Sequence, residues 1–171
     1  MLCEPHREPA TGSTRRSNLH TGGRPKRGWP RPPQKQGQAV RILLVEDNPG
    51  DVALVERALR TWSTPAKLSV AASGEQAIDH LRRARSLPSL ALLDLNLPGL
   101  GGYEVLAEIK RDSELRSLPV IVLSGSTDPA EAQRSYRAFA NAFIQKTDDF
   151  KQFAAAMRAL EDISIRTVKE S

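Results

Sequence analysis

Thiols are nearly absent from this 171-residue chain: a single cysteine, Cys3, excludes an intramolecular disulfide and any zinc-finger type of site assembled from thiols. Such a composition suits a reducing compartment, and the expected location is the cytoplasm. No uninterrupted apolar run approaches the ~18 residues that a membrane span needs, and the N-terminus lacks the apolar stretch of a secretory signal. A glycine-rich phosphate loop is also missing, so no nucleotide site is expected. Acids are scarce in the first 39 residues, which hold 8 Lys/Arg and 2 Asp/Glu of the chain's 25 and 20. The remainder is close to neutral, so the net charge of +5 describes a tail and says little about the folded part.

That tail holds 6 of the 12 prolines and 5 of the 11 glycines and shows no helical or strand periodicity. It cannot bury enough apolar surface to offset its ordering entropy, and residues 1–39 are read as a disordered tail, which an overlong start-site assignment would also explain. Its basic cluster, Arg24, Lys26, Arg27 and Arg31 around Trp29, is a solvated charge run; nucleic acid is not expected as a partner except through it. From Val40 on, short apolar runs alternate with amphipathic stretches, five of each, the pattern of a parallel α/β domain. Strands are expected over 40–45, 67–71, 90–93, 120–123 and 142–144. Nearly all are short and unalternated, as strands covered on both faces should be.

The first helix opens on Asn48-Pro49, a capping side chain followed by proline at the first helical position, with Val52, Val55, Leu59 and Trp62 on one stripe. Further helices are expected over 74–84, 102–111, 129–137 and 148–163. The last aligns Phe150, Phe153, Met157 and Leu160 and puts Lys151, Arg158 and Glu161 opposite; the fourth offers mainly alanines and Tyr136, so it should be loosely held. Five right-handed βα units imply a doubly wound five-stranded parallel sheet, order 2-1-3-4-5, with its site beyond the carboxyl ends of the strands.

Those ends are polar. Glu46-Asp47 closes the first strand, Asp94 the third, Ser124 the fourth and Lys146 the fifth. Any one of them reads as well as a cap, a turn residue or a solvated charge, but five at four strand ends converge on one edge. Three carboxylates there repel one another unless a cation shares the site, and without thiols or histidines the oxygen ligands point to Mg²⁺. Carboxylate, Mg²⁺ and a lysine are the parts that phosphoryl transfer needs, with an aspartate as acceptor.

With Glu46-Asp47 after Ile42-Leu43-Leu44-Val45, Asp94-Leu95-Asn96-Leu97-Pro98 followed by Gly102, Val122-Leu123-Ser124-Gly125, and Lys146, residues 40–165 resemble the receiver domain of two-component response regulators. The likeness extends to the small single-domain regulators partnered with phytochrome-type histidine kinases, through Asn48-Pro49 with Asp51, Ser135-Tyr136, and Asn141-Ala142-Phe143-Ile144-Gln145-Lys146. It implies a flavodoxin-like (βα)5 fold, and Asp94 as phosphoacceptor. Asp47, Asp94 and the Asn96 backbone carbonyl would hold Mg²⁺ directly and Glu46 through water. Lys146 would pair with the phosphoryl group, Ser124 would move to hydrogen-bond it, and Phe143 would change rotamer in concert unless it is plain core.

The family's usual proline after the lysine is replaced by Thr147, which leaves the loop open but offers Thr147 or Asp148 as a helix cap. Gly125 would leave a phosphoryl group accessible to water. Residues 166–171 form a C-terminal tail too short for an output domain, so signalling is expected through protein contacts, with a homodimer on the face of helix four, strand five and helix five. No enzyme activity is expected. A phosphatase forming an aspartyl phosphate would place an acid where Asn96 stands, and a pseudo-receiver scaffold would not retain the site residues.

Overall fold

The computed structural model describes residues 39–169, so the tail expected over 1–39 lies, Ala39 apart, outside the described residues. Strands β1 (Val40–Val45), β2 (Ala66–Ala71), β3 (Leu90–Asp94), β4 (Val120–Ser124) and β5 (Ala142–Gln145) form one parallel sheet in the order β2-β1-β3-β4-β5. Between and after them run α1 (Pro49–Leu59), α2 (Gly74–Arg83), α3 (Gly102–Arg111), α4 (Pro129–Arg137) and α5 (Phe150–Lys169). This is the doubly wound arrangement expected from the alternation of apolar runs and amphipathic stretches.

Side chains alternate between the two faces of a strand, and because both faces are covered the central strands are apolar apart from Arg41 near the start of β1 and the closing Asp94 and Ser124. Leu43 and Val45 of β1 join Leu93, Val120 and Val122 in a core closed by Ile78 and Leu81 of α2 and by Val105, Leu106 and Ile109 of α3. Ile42 and Leu44 point the other way, into a core with Leu92, Ile121 and Leu123, covered by Val55 of α1 and by Phe153, Met157 and Leu160 of α5. Each such fully buried side chain contributes about 1.5–3 kcal/mol of transfer free energy. Arg57 of α1 stacks over the Phe150 ring, 3.8 Å from its centroid, and ties α1 to the start of α5.

Several expectations need correction. The edge strand β2 is only partly covered, with Val70 47% exposed, because its Ala-Lys-Leu-Ser-Val-Ala sequence offers no continuous apolar run. Helix α1 ends at Leu59, so Trp62 is not on its stripe. Tight bonds from Thr61 N–H to the Ala58 carbonyl and from Trp62 N–H to the Leu59 carbonyl carry the chain round a turn that still delivers the indole to the α1–α5 core. Glu161 does not face solvent; it is buried, and its carboxylate accepts the Thr64 backbone N–H at 2.6 Å. Helix α5 begins at Phe150 instead of 148 and continues to Lys169. Its cap is Asp149, which accepts from the backbone N–H groups of Lys151 and Gln152, while Thr147 only accepts from Asp149 N–H.

Helix α4 buries one of its residues, Ser135, and exposes Tyr136, which agrees with weak apolar anchoring. Just beyond its C-cap, Phe139 takes a left-handed backbone (φ 66°) that turns the chain into β5 and leaves the residue 74% exposed. Glycine is required at Gly102. A Cβ there would collide with the Asp94 carbonyl oxygen and come within 2.6 Å of Leu95 Cα, because α3 starts hard against the end of β3. Gly102→Ala should therefore destabilise the domain by about 1–3 kcal/mol in urea unfolding, the cost of overpacking against backbone; an unchanged midpoint would show that the β3–α3 approach is looser than described.

Candidate phosphoacceptor site

Register decides which side chains meet. Val45 pairs with Leu93, Asp94 with Leu123 and Ser124 with Gln145, so β3 ends one residue beyond β1, β4 one residue beyond β3, and β5 opposite β4. The Lys146 backbone N–H continues the ladder by donating to the Ser124 carbonyl at 2.7 Å. All four expected strand ends thus lie at one edge, and Glu46, Asp94 and Ser124 are buried there.

The Lys146 ammonium is the hub. It donates to Glu46 Oε2 at 2.6 Å and to Asp51 Oδ2 at 2.7 Å, and lies 3.4 Å from Asp94 Oδ1. Both Glu46 oxygens are hydrogen-bonded, since its Oε1 also accepts the Asn48 backbone N–H at 3.0 Å. Burial pushes the Glu46 carboxyl above its ordinary value despite Lys146 and the Asn48 N–H. Burial also works against the Lys146 ammonium, but hydrogen bonds to Asp51 and Glu46 and the nearby charge of Asp94 outweigh it and raise the lysine.

One ammonium does not balance this site. Carboxylate oxygens of Glu46, Asp47 and Asp94 lie within 4.8 Å of one another, and each such pair repels by about 3 kcal/mol at an effective dielectric of 20. Asp94 Oδ1 is buried without a hydrogen-bond partner, and Asp47 is exposed beside it. A buried oxygen that makes no hydrogen bond, next to an exposed carboxylate, fits a hard divalent cation approaching from solvent.

Ser124 is bound on both sides. Its hydroxyl donates to Glu131 Oε1 in the first turn of α4 and accepts the Ser126 N–H at 3.1 Å. Phe143 lies elsewhere: on β5 opposite Val122, it packs partly buried against the α2–α3 core. Asn96 is exposed in the loop after β3. A Cβ on Gly125 would meet nothing within 4 Å, so the opening beside Ser124 belongs to the loop's surroundings and does not depend on the glycine.

Two carboxylates in contact with these groups were not assigned a place in the site from the sequence, Asp51 on Lys146 and Glu131 on Ser124. Both follow the same local pattern, Asn48-Pro49-Gly50-Asp51 and Asp128-Pro129-Ala130-Glu131, in which the cap side chain satisfies the second helical N–H. An acid at the third helical position ordinarily reads as a complement to the helix dipole. Here each helix springs from a strand end, and its first-turn acid reaches back to the site.

A doubly wound parallel sheet whose carboxyl edge gathers acids, a lysine and a hydroxyl defines a phosphoryl-accepting signalling domain rather than a nucleotide site. Residues 42–158 match the response regulator receiver domain, and the chain belongs to that family. It is 35% identical over 132 residues to response regulator Rcp1 of Synechocystis, covering 74% of this chain and 90% of that one. The phosphorylated cyanobacterial phytochrome response regulator RcpA superposes with a TM-score of 0.68 at 36% identity, over 76% of this chain and 96% of that one. The Mn²⁺-bound form of Rcp1 gives 0.65 at 34%, over 74% and 95%. The role of this chain is that of a phosphoryl-accepting response regulator.

Asp47 and Asp51 separate the two tasks of the acidic cluster. Asp47→Asn should weaken divalent-cation binding by about tenfold or more in calorimetric titration, whereas Asp51→Asn, whose carboxylate is committed to Lys146, should change it by no more than about threefold. Equal losses would mean that Asp51 also holds the cation.

Proposed function

We propose that Asp94 is the phosphoacceptor and that a histidine kinase of the phytochrome type is the donor. The observation that carries this reading is the buried Asp94 Oδ1, which makes no hydrogen bond and lies 3.4 Å from the Lys146 ammonium. A carboxylate oxygen attacks phosphorus as the P–N bond of the phosphohistidine breaks, and the electron pair of that bond returns to the imidazole. Asp47, Asp94 and the Asn96 backbone carbonyl would hold Mg²⁺ directly, and Glu46 would act through water. When bound, the ion supplies charge that offsets what develops on the phosphoryl oxygens.

Lys146 pairs with the phosphoryl group once it arrives, exchanging part of its contact with Glu46 and Asp51 for the new dianion. Ser124 then turns its hydroxyl toward that group, and Phe143 shifts with it. Output passes through protein contacts at the face of α4, β5 and α5, where the exposed Tyr136 and Phe139 offer apolar surface to a second copy of the chain. The phytochrome-type donor is supported by the likeness to Rcp1 and to RcpA, the latter described as a phytochrome response regulator.

Acetyl phosphate with Mg²⁺ should place acid-labile phosphate on the wild-type chain, none on Asp94→Asn, and none on either after chelation of the metal. The amide is nearly isosteric and lacks the oxygen anion, so the variant should melt within a few degrees of the wild type. Undiminished phosphate on Asp94→Asn would remove the assignment.

A further inference from the structure

The Ser124 hydroxyl has one proton, and that proton is already given away. It goes to Glu131 Oε1, while the oxygen accepts the Ser126 N–H, so both functions of the hydroxyl are occupied in the resting chain. Ser124 is 0% exposed, so water offers no competing partner. A hydroxyl cannot donate to Glu131 and to a phosphoryl oxygen on Asp94 at the same time. Its bond to a carboxylate is charge-assisted, the stronger kind, and has to be given up before the hydroxyl can turn.

We infer that Glu131 is a positioning residue that competes with the phosphoryl group for the Ser124 hydroxyl, holding the site in its resting arrangement and setting how readily the phosphorylated arrangement forms. The inference rests on the reading of Asp94 as phosphoacceptor and adds to it the group that opposes the switch. Thermodynamic linkage fixes the sign: a contact made in the resting state alone lowers the affinity for any ligand that requires the other state.

The position of Glu131 also explains how the exchange reaches α4. Its side chain holds Ser124, while its backbone carbonyl accepts the Ser135 hydroxyl at 2.9 Å and the Tyr103 hydroxyl of α3 at 3.3 Å. Arg134 covers the Tyr103 ring, 3.9 Å from its centroid. The first turn of α4 is therefore fixed to α3 through backbone and to β4 through one carboxylate. A side-chain substitution at Glu131 removes the β4 link and leaves the carbonyl that Tyr103 and Ser135 use, which separates the competing role from the structural one.

The test is a double-mutant cycle on the full chain, with beryllium fluoride as the phosphoryl mimic in the presence of Mg²⁺, its affinity read by calorimetry and its site by amide NMR. Glu131→Ala should bind the mimic about tenfold more tightly than wild type. In a Ser124→Ala background the same substitution should produce no gain, because there is no hydroxyl to release. Binding of Mg²⁺ alone should be unchanged, since Glu131 is not among the clustered carboxylates. Glu131→Gln, which keeps the shape and an acceptor oxygen without the charge, should give an intermediate gain and serves if the alanine variant folds poorly.

Unchanged or weaker binding of the mimic by variants whose Mg²⁺ affinity is that of wild type would overturn the inference. So would an equal gain in both backgrounds, which would show that Glu131 acts through its charge at large and not through Ser124. Failure of the wild-type chain itself to bind the mimic would instead remove the phosphoacceptor reading, and the inference with it.

Discussion

Negative charge crowded against a single ammonium is the constraint on which the functional end of this domain depends. Lys146 lies within 3.4 Å of oxygens from three carboxylates contributed by β1's end, α1 and β3's end, with Asp47 beside them. Such a group holds together because the sheet gives the carboxylates no way to separate. The backbone ladder pins Glu46 to Ala71 and Lys146 to Ser124, and Val45 of β1, Leu93 of β3, Leu123 of β4 and Ile144 of β5 are buried just behind the site. Packing energy spread over two cores thus maintains a locally unfavourable charge distribution. An arriving cation and phosphoryl group relieve an imbalance that the fold has already built.

The strand ends were legible because each polar residue closes an apolar run, and a parallel sheet has one edge at which all such residues must meet. Asp51 and Glu131 were harder to see as partners of that edge. Each sits in the first turn of a helix behind an Asn-Pro or Asp-Pro start, where an acid has an ordinary explanation in the helix dipole. What distinguishes them is that α1 and α4 follow directly from β1 and β4, so a side chain at the third helical position overhangs the site. The pattern is repeated in the sequence, but its meaning depends on which strand end precedes it, which is a property of the sheet.

Boundaries were less legible than elements, for local reasons. Trp62 keeps helical spacing from Leu59 although the helix has ended, because consecutive tight turns preserve the direction of the chain. Glu161 follows the charged period of α5 yet is drawn inward by a backbone N–H of the α1–β2 turn. Tyr136 lies in, and Phe139 just beyond, a helix with so little apolar content that both remain exposed. The same scarcity of anchoring that leaves α4 exposed makes it the element most easily moved by a change at Ser124.

The most direct test of the account is chemical location of the phosphoryl group. An acyl phosphate is reduced by borohydride to a primary alcohol, so peptide mass spectrometry after phosphorylation and reduction marks the residue that carried it. The account requires the mark at Asp94 and nowhere else in the acidic cluster. Reduction at Glu46, Asp47 or Asp51, or no mark on a chain shown to hold acid-labile phosphate, would contradict it.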